Sequence, residues 1–400
     1  MIKSFRFPQK RIYMDHASST PVDERVRRKM DAHYRSYYAN PSSLHKEGVR
    51  ENELIQNARE TIARSINAHS DELIFTSGGT ESDNTAIKGL LNAVMDEKDN
   101  KKLHIVTTNI EHAAVQDTLA HMEREGAEVT YVPVKNNGIV DPSDIRDALQ
   151  TNTTLVVVMY ANNEIGTIQP IKEIAKVLRQ YKKLNSSATP YLYVDASQAI
   201  QYIDINVEAL GVDLLSFAAS KIYGPKGIGA LYKRRGVPLA SIMHGGNQEF
   251  GLRPGTENTE GIIGFEESIR LNDKMKLSES TRLKKLQEYF LHELILRFDE
   301  VIINGDQRER LPNNINISFP GIESERLVLE FDAKGIAVSS KSACKSDESE
   351  LSYVISALRE NANIEEGSIR FSLGRSTTKK DVSRVLKILE HIIIKIHSWK

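Results

Sequence analysis

The sequence predicts an α/β protein: a large domain on a mainly parallel sheet, with a smaller α+β domain beside it. Three observations lead there. Short apolar runs of strand length alternate with helical patterns through the first two-thirds of the chain, and runs that are apolar throughout suit strands buried on both faces. From about residue 265 a long charged helix gives way to shorter mixed segments. At 400 residues the chain is long for one hydrophobic core. The expected division is 14–264 for the large domain, with 1–13 and 265–400 forming the small one.

The elements follow in order. "ENELIQNARETIARSINA" spaces Leu54, Ala58, Ile62 and Ile66 four apart, one stripe of an amphipathic helix. "DELIFTSGG" is a short strand ending in a glycine turn, and "KLHIVTT", "AEVTYVPV", "TLVVVMYA", "YLYVDAS" and "DLLSFAAS" are further strand-like runs. Helical patterns separate most of them, such as "IKEIAKVLRQYKKL" after Pro170. The last part begins with the helix "STRLKKLQEYFLHELILRF", continues through "NINISF", "ERLVLEFDAKG" and "SIRFSLG", and closes on the helix "KKDVSRVLKILEHIIIKI".

Composition narrows the function. A net charge of −1 offers no basic footprint for nucleic acid. The one cysteine, Cys344, excludes a disulfide framework or a multi-cysteine metal site within the chain. No apolar run approaches the roughly 18 residues of a membrane span, and "MIKSFRFPQKRIYMD" is basic without the apolar stretch of a secretory signal. A cytoplasmic protein is expected.

Ligands of parallel sheets bind where strands end. "TSGGTESDN" puts two glycines and Thr80 between a strand and a helix, an anion site suited to phosphate, but without the Gly-Lys-Ser/Thr of a P-loop. "GPKGIG" lacks the dinucleotide spacing and leads into a strand. Asp195 ends "YLYVD", where an acid caps a turn or holds a pyridinium nitrogen. Lys221 follows "DLLSFAAS", a place for a Schiff-base lysine or for a solvated one. His112 opens a helix, and no His-x-x-x-His pair occurs in the chain to suggest a metal. Taken together, a phosphate cradle, an acid, a lysine and a histidine on successive strand ends are what pyridoxal phosphate needs. Cys344 sits in "SSKSACKSDESE", among serines, lysines and acids rather than apolar residues, as a reactive thiol would.

Nearly the whole chain, from "YMDHASSTPVD" to "SIRFSLGRSTT", resembles the cysteine desulfurases of the NifS/IscS type, fold-type I pyridoxal-phosphate enzymes. "NPSSLHKEG", "TSGGTESDN", "EH", "NNEIG", "VDASQ", "KIYGPKGIGALY", "HGG", "GTEN", "SSKSAC" and "IRFSLGR" stand in family order. The resemblance implies removal of sulfur from L-cysteine, giving L-alanine and a persulfide on Cys344 for an acceptor protein. It makes Lys221 the Schiff-base lysine and proton shuttle, and His112 the ring that stacks on the cofactor and assists proton transfer. Asp195 would pair with the ring nitrogen and Gln198 contact the O3′ region. Gly79 and Thr80 would hold the phosphate. Asn163 and Arg370 would hold the substrate carboxylate. Thr256 would reach the phosphate of a neighbouring subunit, implying a homodimer. Lys341 and Lys345 flank Cys344 and would favour its thiolate.

The chain departs from the family in three places. Ala218-Ala219-Ser220 replaces the usual Ser-Gly-His before the lysine, leaving Ser220 as the one hydroxyl there, and weaker cofactor retention is expected. Lys341 stands where the cysteine loop usually has glycine. The sequence stops at "IIIKIHSWK", without the extension that engages an iron–sulfur scaffold, which points to a specialised sulfur acceptor. Two other functions compete: a small-amino-acid aminotransferase in which Cys344 is incidental, and a catalytically silent binding paralogue.

Overall fold

The computed structural model describes residues 11–95, 102–340, 352–359 and 367–397. Cys344, Lys341 and Lys345 lie outside the described residues.

The chain opens with β1 (Ile12–Tyr13) and α1 (Glu24–Ser36), which Asp23 caps by accepting from the Arg25 N–H. In α2 (Lys46–Ser65) the expected stripe is the inner face: Ala58 and Ile62 are buried, as is Ile66 at the helix end. The alternating part then runs β2 (Leu73–Thr76), α3 (Gly79–Val94), β3 (His104–Thr108), α4 (Ala113–Arg124), β4 (Glu128–Val132), α5 (Pro142–Asp147), β5 (Thr153–Val157), α6 (Ile171–Asn185), β6 (Tyr191–Asp195), α7 (Val207–Leu210), β7 (Leu214–Ala218) and β8 (Gly229–Lys233).

These alternating helices and strands build one seven-stranded sheet in the order β2-β8-β7-β6-β5-β3-β4. It is parallel except at β8, which runs against both β2 and β7. Side chains alternate between its faces. Ile74, Ile105, Leu155, Leu214 and Leu231 pack with Ile87, Leu90, Val115 and Leu119 of α3 and α4. Phe75, Val106, Val156, Leu215 and Ala230 face the other core, which includes α2 and α6. Because β8 is the one reversed strand, the C-terminal ends of β2, β7, β6, β5 and β3 share one edge of the sheet. Between β3 and β5 the chain's direction of travel along the sheet reverses, the crevice where ligands of open sheets collect.

The rest comprises α8 (Thr259–Arg297), β9 (Ile302–Ile303), β10 (Asn314–Ser318), α9 (Ser324–Ala333), β11 (Ile336–Ala337), α10 (Tyr353–Leu358), β12 (Ser368–Ser372) and α11 (Lys379–His397). Strands β12, β10 and β9 form an antiparallel sheet, and β1 pairs in parallel with β11, bringing Ile12 and Tyr13 to this part.

One expectation needs correction. The helix expected to begin at "STRLKK" begins at Thr259, so position 264/265 falls inside this 39-residue helix. Charge also enters the helix's buried side, where Lys276, 8% exposed, meets Asp204 at 3.2 Å. The helix joins both sheets: Phe265 packs edge-on against Phe217 of β7, and Phe290 against Phe371 of β12, 5.6 and 5.1 Å between ring centres.

Candidate active site

The shared strand edge carries the ionisable groups. After Thr76 the chain turns through Ser77 and Gly78 into α3. Gly78 has φ 154° and ψ −176°, a conformation open to glycine and strained for residues with a Cβ. The turn is fastened on both sides. The Thr76 hydroxyl lies 3.1 Å from the Gly78 carbonyl and 2.7 Å from the Ser82 hydroxyl. The Ser77 N–H donates to Glu81 at 2.8 Å, and Glu81 pairs with Arg253 at 3.0 Å. Gly79 and Thr80 begin the helix, so their N–H groups have no partner within it, at the positive end of its dipole.

This turn forms one wall of a cavity of about 230 Å³. His112, at the end of β3, caps α4: its Nδ1 accepts from the Ala114 N–H at 3.2 Å. That bond leaves the neutral ring's proton on Nε2. Asp195, at the end of β6, is buried and accepts from the Ser197 N–H at 2.9 Å. Lys221, just past β7, donates from Nζ to the carbonyls of Ala17 and Ser18 at 2.9 and 2.6 Å. The Gln198 amide also donates to Ala17 O, at 2.9 Å. Ala218 and Ser220, two of the positions that depart from the family pattern, both line the cavity.

Arg370 on β12 closes the opposite wall. Its Nη1 donates to Asn163 O at 2.8 Å, and its Nη2 to Asp15 and to the Ser18 hydroxyl at 2.8 and 2.6 Å. Its Nε and the Asn163 Oδ1 are buried and have no hydrogen-bond partner among the described residues.

Two further acids stand around Asp195. Asp83 on α3 accepts from the Tyr193 and Ser216 hydroxyls. Burial, reinforced by the Asp195 charge, pushes its carboxyl up to about 7. Glu111 accepts from the Thr108 hydroxyl at 2.6 Å and the Met159 N–H at 3.0 Å, while its Oε2 is buried without a partner among the described residues. Burial pushes it up to about 8.

Nine of the residues singled out in the sequence thus line one cavity: Gly79, Thr80, His112, Asn163, Asp195, Gln198, Ser220, Lys221 and Arg370. Thr256 does not. It is exposed on the loop before α8, outside the cavity of its own chain. Sequence reasoning passed over Asp83 and Glu111, although each sits inside a quoted motif. Asp83 had a signal: it falls on the apolar stripe of α3, one turn before Ile87 and two before Leu90, where an acid has no packing reason to be.

The donor set fits pyridoxal phosphate. The glycine turn offers backbone N–H groups to a phosphate, and a Cβ added at Gly78 would meet no atom within 4 Å, so the wall stands open there. A buried carboxylate for a ring nitrogen and an amine for an aldehyde face the same space, and the unpartnered Asn163 Oδ1 and Arg370 Nε leave polar valences for a bound molecule.

Comparison with known proteins agrees. Residues 12–385 match the aminotransferase class-V family. A cysteine desulfurase IscS of Dictyoglomus turgidum is 44% identical over 390 residues, covering 98% of this chain and 96% of that protein. Among solved structures, a NifS-like protein superposes with a TM-score of 0.87 at 34% identity, covering 96% of this chain and 99% of its own. SspA in complex with cysteine gives a TM-score of 0.78 at 32% identity, covering 90% and 98%. The chain belongs to the aminotransferase class-V family and, within it, to the cysteine desulfurases.

Proposed function

We propose that this cysteine desulfurase works with pyridoxal phosphate held in the cavity and takes the sulfur of L-cysteine onto Cys344. The observation that carries the reading is the convergence of Lys221, Asp195, His112, the Gly78–Thr80 turn and Arg370 on one enclosed space. When bound, the cofactor withdraws electrons from the substrate Cα, which makes its C–H acidic and weakens the bond from carbon to sulfur.

Each residue has a task set by its surroundings. The first N–H groups of α3, with the Thr80 hydroxyl, bind the phosphate. Asp195, buried and oriented by the Ser197 N–H, holds a proton on the ring nitrogen. Lys221 bears the cofactor, and its Nζ then moves the Cα proton. Gln198 contacts the O3′ side. His112 stacks on the ring, with its Nδ1 engaged at the helix cap, and presents its Nε2 proton to the substrate sulfur. Arg370 and Asn163 bind the substrate carboxylate, and Arg370 is already aligned by Asp15, Ser18 and the Asn163 carbonyl.

The overall step balances without an external oxidant. A bond forms between the Cys344 sulfur and the substrate sulfur, the substrate's C–S bond breaks, and the β carbon takes a proton. The products are L-alanine and the Cys344 persulfide, whose outer sulfur passes to an acceptor protein. The working unit is a cytoplasmic homodimer in which Thr256, exposed outside its own cavity, reaches the phosphate of the neighbouring subunit.

Adding pyridoxal phosphate to the cofactor-free protein tests the reading. The wild type should develop visible absorbance and convert L-cysteine to L-alanine. Lys221→Ala should do neither at a comparable rate. 3-Mercaptopyruvate as the main product, with the sulfur still on its carbon, would favour an aminotransferase instead.

A further inference from the structure

The reaction above makes no use of Asp83, yet this side chain is 2% exposed and lines the same cavity as Asp195. Its Oδ1 takes two hydroxyl donors, Tyr193 from β6 and Ser216 from β7, and those hydroxyls lie 2.8 Å from each other. The placement ties this group to Asp195 by the backbone. Tyr193 stands two residues before Asp195 on the same strand, so the two share a face. Ser216 is the register partner of Asp195 across β6 and β7, and its carbonyl accepts from the Ala196 N–H at 2.9 Å. Packing alone does not call for an acid here, since Ile87 and Leu90 continue the same stripe of α3 in hydrocarbon.

We propose that Asp83 is a positioning residue for the cofactor: with the Tyr193 and Ser216 hydroxyls it fixes the negative charge on the Asp195 wall, and so sets how tightly the bound cofactor keeps its proton. The inference rests on pyridoxal phosphate occupying this cavity.

The charges around Asp83 are few and come from known elements. Asp195 stands at the end of β6, Glu111 and His112 precede α4, and Lys221 follows β7. The β2 and β8 ends bring Gly78, Gly227 and Ile228, which do not titrate. Burial and the Asp195 carboxylate favour the neutral acid, whereas the two hydroxyl donors favour the anion. The hydroxyl donors hold Asp83 on the same wall as Asp195. When Asp83 ionises it adds a negative charge there, and a cationic cofactor is stabilised further.

The test is a pH titration of the cofactor's visible absorbance in substrate-free holoenzyme, for wild type, Asp83→Asn and Tyr193→Phe. Asp83→Asn removes a neighbouring negative charge and should lower the pH midpoint by about one unit. Tyr193→Phe removes one donor to the anion and should lower it by less. If Asp83→Asn does not fold or retain cofactor, Tyr193→Phe and Ser216→Ala decide the matter. Bound cofactor with the wild-type midpoint in every variant that folds overturns the role of Asp83, even where the melting temperature falls. A wild type that gains no visible absorbance takes down the cofactor reading and this inference with it.

Discussion

Arg370 and Asp15 form an ion pair at 2.8 Å, with the arginine side chain 2% exposed. The pair joins the segment after β1 to β12, and the same guanidinium reaches the Asn163 carbonyl at the end of the large sheet. Three distant stretches of sequence therefore meet on one planar cation. A lysine keeps the charge but not the fork that makes these contacts together.

Arg370→Lys should raise KM for L-cysteine about tenfold to a hundredfold, the worth of a hydrogen bond to a charged group. The cofactor's absorbance should persist, and the melting temperature should fall because Asp15 loses the guanidinium contact, keeping the Ser18 hydroxyl. Steady-state kinetics decide it, and an unchanged KM would remove Arg370 from substrate binding.

His112 has two jobs that substitution can separate. His112→Ala should cost about 1 kcal/mol of stability through the lost helix cap and lower kcat by about 10²- to 10⁴-fold. His112→Asn restores a cap-forming side chain. Its melting temperature should return toward wild type while kcat stays low. Recovery of both together would mean that the ring does no chemistry.

Gly78→Ala should weaken cofactor binding. The new Cβ meets no neighbour, so the penalty is the backbone conformation, about 1–3 kcal/mol. Relaxing that strain moves the N–H groups of the turn. Equilibrium dialysis of pyridoxal phosphate should show at least about a fivefold loss of affinity, since 1 kcal/mol corresponds to roughly that factor. Equal affinity would show that the turn does not bind phosphate.

Glu111→Gln should change how stability depends on pH. The Glu111 carboxyl is pushed from 4.5 up to about 8 in the fold, chiefly by burial. The folded state therefore holds a proton that the unfolded chain has released, so this contribution is present below pH 4.5 and is lost as pH rises through about 8. Glutamine keeps the acceptor for Thr108 and Met159 and cannot ionise. The variant should gain stability relative to wild type between pH 5 and pH 8, by up to a few kcal/mol at about 1.4 kcal/mol per pH unit. Melting temperatures at the two pH values measure it, and a constant difference would contradict the buried neutral acid.

Much of the architecture was legible because the strands of the large sheet are short apolar runs and the site residues there follow them. His112, Asp195 and Lys221 could be placed at strand ends by sequence order alone, and the parallel sheet then brought them together. The extent of α8 was not legible. Its first half is buried against the large sheet and its second against the small one, so no single stripe runs along all 39 residues. Asp83 and Glu111 escaped notice for another reason: a short motif shows that an acid is present, not that three strands and a helix seal it from water. Asp15 and Ser18 likewise acquire meaning only when β12, more than 350 residues later, lies against them.

The most direct test of sulfur transfer is the mass of the peptide containing Cys344 after a single turnover with L-cysteine and no acceptor. One L-alanine should be released for each such peptide that becomes one sulfur atom heavier, and Cys344→Ala should keep the cofactor's absorbance but lose turnover. Alanine release with Cys344 unmodified, or equal turnover in the variant, would contradict Cys344 as the sulfur carrier.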